Sequence, residues 1–384
     1  MVLVSLDGFR SDYLDRGLTP TLARLAAEGV RAGALVPVFP TKTFPNHYTI
    51  VTGLYPGRHG IVGNEFTAPE LGSRFALHDR AAVRDPRFWG GEPIWVTAER
   101  QGLRTAPFFW PGSEAPIGGL RPTWWAPYAH ELPDTARVRQ VLDWLALPPD
   151  RRPAFVTLYF SLVDHAGHEF GPTAAETDSA IARADALLAR LLQGQTRLAG
   201  DGAINLVIVS DHGMAATDPG RVVWLDDHVR RDWLEADALS PVLTAWPAPG
   251  KEDSVVRGLG TAAHLRVYRR SELPARYHLK ESPRIAPVIA VADEGWSIAW
   301  RARPGEQARE RPGGEHGYDN RLASMGALFV AHGPAFRRGV VVPPFQNVHL
   351  YPLLADLLGV DPAPSDGSAD SLRAILALPA GSPH

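Results

Sequence analysis

The chain has 384 residues, room for roughly two or three ordinary domains or one large one, and its 45% hydrophobic and 21% charged content is that of a globular protein. Its 36 Gly and 35 Pro stay below the level of low-complexity chains, which excludes disorder as the main state. A net charge of −3 provides no basic field for nucleic-acid polymers or acidic membranes, and the absence of cysteine excludes disulfides, thiolate metal sites and a cysteine nucleophile.

Val2-Leu3-Val4-Ser5-Leu6 reads as a buried strand ending at Asp7. No stretch approaches the roughly 20 apolar residues of a membrane span. A chain that enters its core at residue 2 reads as mature or trimmed, compatible with a removed export signal. Thr19-Pro20, then Leu22, Leu25 and Ala26 with a stop at Gly29, predicts a helix.

Phe39-Pro40-Thr41-Lys42-Thr43-Phe44-Pro45-Asn46-His47 predicts a helix start that continues through Tyr48, Ile50 and Val51. A hydroxyl there sits among unpaired N–H groups at the positive end of a helix dipole, a suitable place for a phosphoryl group. Taken alone, Thr43 is more often an N-cap than a nucleophile. Lysine occurs only at Lys42, Lys251 and Lys280, which draws attention to Lys42 beside that hydroxyl.

Phe88 to Tyr128 carries much of the tryptophan and reads as a packed excursion over the sheet edge. Ala154 to Val163 and Ala203 to Ser210 predict strands ending at Asp164 and Asp211, with a helix from Ala174 to Leu192 closed by Gly194 between them. Residues 251–311, rich in Arg and Pro, read as a small inserted subdomain with strand-like pieces at Ile289 to Asp293 and Trp296 to Trp300. Ala327 to Ala331 predicts another core strand, and Pro379 to His384 a frayed tail. The alternation implies one α/β domain over residues 1–384, an α/β/α sandwich with a mostly parallel central sheet.

In such sheets ligands collect outside the carboxyl ends of the strands. One aspartate after a strand is usually a turn or cap residue, but three together with nearby histidines argue for a site. Asp164 and His168 stand four apart, Asp211 and His212 are adjacent, and His316 lies in the loop Gly313-Gly314-Glu315-His316-Gly317. With Asp7 these form a nitrogen and oxygen donor set that suits catalytic zinc. Six ligands suffice for two metals with three protein ligands each, as in centres whose ions lie about 4 Å apart. Of the other histidines, His78 and His130 read as surface or hydrogen-bonded, His332 and His349 as structural, and His165 as a support for the ligands.

These motifs resemble the nucleotide pyrophosphatase/phosphodiesterase family of the alkaline phosphatase superfamily. Phe39 to Tyr55 is similar to its nucleophile segment, and the likeness continues through His59 to Asn64, Phe108 to Ser113, Asp164 to His168, Ser210 to Gly213 and Glu315 to Asn320, in family order. The resemblance implies an alkaline-phosphatase-like fold with two zinc ions. Asp164, His168 and His316 would hold one, Asp7, Asp211 and His212 the other, with the nucleophile Thr43 as a ligand between them. It also implies a phosphate-oxygen contact from Asn64 and a nucleobase held between Phe44 and Tyr128. Tyr159 and Trp110 would line that pocket. Lys42, from its place beside Thr43 and not from the resemblance, is read as a further substrate contact. The implied reaction releases nucleoside 5′-monophosphates from nucleotides or their derivatives through a phosphothreonine intermediate.

By the same resemblance the chain reads as a stand-alone, bacterial-type catalytic domain, periplasmic or secreted, with a small-molecule substrate and no obligate protein partner. The rivals are a phosphonoacetate hydrolase, a phosphomonoesterase or a choline-phospholipid phosphodiesterase of the same superfamily, and a non-catalytic metal-binding homologue. The preferred base stays open, because stacking is available to every base.

Overall fold

A strand that is apolar on both faces must be covered on both, and all five residues of Val2–Leu6 are buried. A computed structural model, which describes residues 1–199, 204–301 and 313–377, places this strand inside a seven-stranded sheet. The order is Val340–Val342, Val30–Ala32, Phe329–His332, Leu206–Val209, Val2–Leu6, Phe155–Phe160 and Thr105–Phe108. From Leu206–Val209 outward to Thr105–Phe108 every pairing is parallel, with Val2 opposite both Val156 and Leu206.

Phe329–His332 is a core strand, as expected, and runs antiparallel to both neighbours. One expectation is corrected at the sheet. The tryptophan-rich segment does not merely cover the sheet edge. It supplies the helix Ile94–Arg100 and the edge strand Thr105–Phe108 itself, where an edge position tolerates Pro107.

Alternation along the first strand builds the two outer layers. Val2, Val4 and Leu6 face a cluster with Leu22, Leu25, Val138 and Ile181, drawn from the helices Pro20–Glu28, Asp134–Leu145 and Ala175–Ala199. Leu3 faces the opposite cluster, with Tyr48, Ile50, Trp95 and Leu354 from the helices Thr43–Thr52, Ile94–Arg100 and Leu350–Leu358. The chain is therefore an α/β/α sandwich.

The helix Pro20–Glu28 stands where Pro20 and Gly29 place it, but Thr19 makes no cap bond. Asp185 of the long helix instead accepts from the Thr21 and Leu22 N–H groups at 3.0 and 2.8 Å. The long helix does not stop at Gly194 but runs to Ala199. Gly194 packs against Leu142, whose side chain would have to turn aside for a Cβ there, 2.3 Å away.

A separate antiparallel sheet orders Leu234–Ala238, Val242–Pro247, Val288–Ala292 and Leu265–Arg269, with the helix Glu252–Leu259 against it. Two of its strands precede residue 251, so the boundary read there cuts through one structural unit. Ser297–Ala299 pairs with Val222–Trp224. The end of the 251–311 segment beyond Arg301, Ala203 of the third predicted strand and the tail Pro379 to His384 lie outside the described residues.

Candidate active site

Asp7 follows the first strand directly, and Asp211 follows its parallel neighbour Leu206–Val209. Asp164 differs from expectation. Its strand ends at Phe160, and Asp164 lies in the first turn of the helix Leu162–Phe170, one turn before His168. The apolar run simply continues from strand into helix, so hydrophobicity alone does not mark the junction. Gly8, at φ 68°, turns the chain so closely past this helix that a Cβ would sit 2.8 Å from the Asp164 Cα.

The six predicted ligands form two groups, Asp164 with His168 and His316, and Asp7 with Asp211 and His212. Within each, one donor atom per residue lies within 4.8 Å of the others. The groups adjoin, because the His212 and His316 rings stack with centroids 3.5 Å apart. Each histidine donates its Nδ1–H to a backbone carbonyl, at 3.0 Å for His168 to Gly314, 2.9 Å for His212 to Gly213 and 2.7 Å for His316 to Thr41. A carbonyl can only accept, so Nε2 is left as the nitrogen that faces the carboxylates.

Asp7 Oδ1, Asp164 Oδ1 and Asp211 Oδ2 are buried with no hydrogen-bond donor. Burial, then the neighbouring Asp211 and Asp164 charges, pushes the Asp7 carboxyl well above its ordinary range. Burial lifts Asp164 to about 7 and holds His168 and His316 below the usual imidazole value. Burial also opposes the charges on Asp211 and His212, but their mutual attraction prevails, keeping Asp211 ionised and raising His212 to about 9. Protons thus take the places where cations would sit. Orphaned carboxylate oxygens, imidazoles whose Nδ1 is held by a carbonyl so that Nε2 faces the carboxylates, and no sulfur together fit a divalent ion such as zinc.

Thr43 is the first residue of the helix Thr43–Thr52, and its Oγ1 lies 3.4 Å from His212 Nε2. The loop before it is fixed by Asn46, whose amide bonds Val38 N–H and the Pro40 and Lys42 carbonyls. Thr41 ties the same loop to Gly317 and Tyr318 beside His316. Asn64 Oδ1 accepts from the Phe44 N–H at 2.9 Å, which leaves the amide NH2 as the group it can offer a phosphoryl oxygen.

His47 received no role from the sequence. It is fully buried, with Nδ1 2.9 Å from the Thr43 carbonyl and 3.3 Å from Asp211 Oδ2, and Nε2 2.7 Å from Ser5 Oγ. It couples Thr43, Asp211 and the central strand. Its position four residues after Thr43 was the available signal.

Thr43, Asn64, Phe44, Tyr128, Trp110 and Tyr159 line one cavity of about 340 Å³ together with Asp7, Asp164, His168 and His316. Two of the aromatics also brace the centre: Tyr159 donates to Asp7 Oδ2 at 2.6 Å, and Trp110 Nε1 to the His47 carbonyl at 2.9 Å. Tyr128 is packed edge-on against Phe109, with the Arg137 guanidinium 5.8 Å from its ring. Glu114 and Arg80 pair at the wall of this cavity and were not singled out from the sequence. Lys42 stands apart from this cavity, its Nζ 3.1 Å from Glu315 Oε1. His165 does not support the ligands: its side chain is 73% exposed and its nearest charged partner is Glu169. His332 faces Glu28, and His349 accepts from the Ser368 N–H, both away from the centre.

The profile of the type I phosphodiesterase / nucleotide pyrophosphatase family matches residues 1–319. An uncharacterised pyrophosphatase/phosphodiesterase of Schizosaccharomyces pombe is 38% identical, over 96% of this chain and 78% of that protein. Human ectonucleotide pyrophosphatase/phosphodiesterase family member 1 is 37% identical over the full chain, and a venom phosphodiesterase of Naja atra 37% identical over 99% of it. The chain spans only 42% and 46% of those two proteins. Murine ectonucleotide pyrophosphatase/phosphodiesterase 5, an inactive threonine-to-alanine variant in complex with AMP, superposes with a TM-score of 0.93 at 35% identity, covering 98% of this chain and 99% of that one.

Proposed function

This chain belongs to the type I phosphodiesterase / nucleotide pyrophosphatase family, and on that footing we propose that it is a two-zinc hydrolase of nucleotide phosphodiester and pyrophosphate bonds. The observation that carries this reading is a hydroxyl at a helix start, 3.4 Å from His212 Nε2 and lining, with members of both Asp/His groups, a cavity walled by aromatic rings. Asp164, His168 and His316 would hold one ion and Asp7, Asp211 and His212 the other, supplying Lewis-acid charge that lowers the pKa of the Thr43 hydroxyl and offsets charge on the phosphoryl oxygens.

The chain's own groups then account for the steps. Thr43 Oγ attacks phosphorus in line, its bond to phosphorus forming as the bond to the leaving oxygen breaks. Asn64 donates its amide N–H to a non-bridging oxygen, and the unpaired N–H groups of the helix start add a favourable dipole. Phe44 and Tyr128 stack on the nucleobase and so hold the α-phosphate at Thr43. Water attacking from the opposite face cleaves the phosphothreonine diester, restoring the hydroxyl and releasing a nucleoside 5′-monophosphate. The pairing of Lys42 with Glu315 argues against a phosphonoacetate reading, which needs an available cation for the substrate carboxylate. A periplasmic or secreted location is supported by relatives named as ecto- and venom enzymes, and among the described residues no helix is long and apolar enough to cross a membrane.

The test is Thr43→Ala assayed beside the parent on a nucleoside 5′-aryl phosphodiester and a simple aryl monoester in zinc buffer. The parent should strongly prefer the diester, and the variant should lose at least about a thousandfold in kcat while keeping two zinc ions per chain. Near-parental turnover in the variant sinks the nucleophile assignment. A monoester preference in the parent sinks the roles of Phe44 and Tyr128.

A further inference from the structure

A second cavity, of about 460 Å³, adjoins the first, and Asn64 and Leu77 line both. It lies between the loop before Thr43, through Pro40 and Lys42, and the four-stranded sheet, through Asp237 and Val242. A phosphodiester has two arms. If the aromatic cavity takes the nucleoside arm, the chamber across Asn64 is the space open to the arm that leaves. Its size is that of a small-molecule site.

Much of its wall is apolar, including Val62, Phe66, Leu239, Val242 and Ile285. Its two cations are already engaged. Lys42 pairs with Glu315, while the Arg284 guanidinium donates to Glu70 and to the Gly60, Phe88 and Arg87 carbonyls at 2.6–3.1 Å. Its carboxylates are Glu65, which pairs with Arg74, and Asp237, which accepts from the Thr67 N–H and hydroxyl and from Trp246 Nε1. A bare terminal phosphate entering here would meet two carboxylates, and no guanidinium donor without a prior partner. A sugar or nucleoside would meet apolar wall and hydrogen-bond acceptors instead.

We propose that this chamber binds the leaving group and favours pyrophosphate-linked nucleotides whose outer phosphate carries an uncharged cap, a sugar or second nucleoside, over nucleoside triphosphates. The inference rests on the hydrolytic reading above. The bond broken is the one from the α-phosphorus to the bridging oxygen, so the cap departs as its phosphate monoester, with that phosphate passing Lys42 and the cap inside the chamber.

Three AMP donors separate the possibilities: an adenosine 5′-aryl phosphodiester, adenosine diphosphate glucose and adenosine triphosphate, compared by kcat/KM on the zinc-loaded protein. The capped donor should exceed the triphosphate at least about tenfold. Glu65→Lys, a change at a half-exposed side chain, should shift that ratio about tenfold toward the triphosphate. Leu239→Trp, which fills the chamber from its exposed rim, should reduce turnover of the capped donor more than that of the triphosphate. A parent that takes the triphosphate equally well, or a Glu65→Lys ratio equal to the parent's, overturns the chamber assignment alone, provided the aryl diester is hydrolysed. No release of AMP from any of the three overturns the hydrolytic reading and this inference with it.

Discussion

His59 sits one turn of chain before Asn64, wholly buried, with Nε2 3.0 Å from Thr49 Oγ1 and Nδ1 accepting from the Ile61 N–H. It fastens the turn that delivers Asn64 to the helix start. Burial drives its pKa down to about 3, so the fold favours the neutral ring. An unfolded histidine titrates near 6.5, and between those values the unfolded chain binds the extra proton. The stabilisation is therefore complete above about pH 6.5 and is lost as pH falls toward 3, amounting to about 2 kcal/mol by pH 5. Melting temperatures of the parent and His59→Gln between pH 7.5 and 5 should show a steeper fall in the parent. Parallel curves would remove His59 as an acid-sensitive point. At this scale the sequence was most legible where chemistry is local: Asp211 beside His212 and Asp164 four before His168 are pairs that spacing alone places together. His47 was not, because a buried histidine inside a motif looks the same whether it fills space or bridges Thr43, Asp211 and Ser5.

Elements bring these residues to one edge, and their junctions are where reading from pattern failed. Val163 is as apolar as the strand before it, yet the chain has already turned into a helix by Leu162, and it is the helix that gives Asp164 and His168 a common face. Ala327 to Ala331 was legible as a core strand, whereas its antiparallel direction depends on how the preceding connection returns and leaves no mark in the residues. Gly8 is the junction on which the site depends most. Its positive φ and its 2.8 Å approach to the Asp164 backbone leave no room for a Cβ on either count. Gly8→Ala should cost roughly 1–3 kcal/mol of stability through backbone strain alone. It should also part Asp7 from Asp164, so kcat/KM should fall more than a thermal shift of that size would predict. Parental melting together with parental activity would show that the close approach is not required.

The molecule as a whole sets the two Asp/His groups where one central strand, its parallel neighbour, the helix Leu162–Phe170 and the segment of His316 converge, and that convergence was legible because each contributing segment carries its own chemistry. The four-stranded sheet was not legible as a unit, since its strands Leu234–Ala238 and Val242–Pro247 carry no signal that drew a reading of their own, while the Arg-rich stretch after residue 251 drew the boundary. Yet that sheet forms a wall of the second chamber, so a boundary misplaced by some 17 residues (Leu234 against 251) separates two strands from the site they help enclose. The convergence also has an energetic consequence. Three carboxylate oxygens buried without donors are tolerable in a folded chain when cations satisfy them, and each ion bound only by the folded state adds stability by mass action. At a free concentration a thousandfold above its dissociation constant, one ion contributes about 4 kcal/mol, which for a chain of this length corresponds to a melting shift of about 5 °C. Chelation should therefore lower the melting temperature by about 5 °C per ion removed, and added zinc should restore it. The same treatment of Asp211→Asn should give the smaller shift, because the Asp7, Asp211 and His212 group has lost a ligand charge while the Asp164, His168 and His316 group is intact. A melting temperature indifferent to chelation in the parent would mean that protons alone satisfy the cluster, and the two groups would then be a buried hydrogen-bonded network rather than a metal centre.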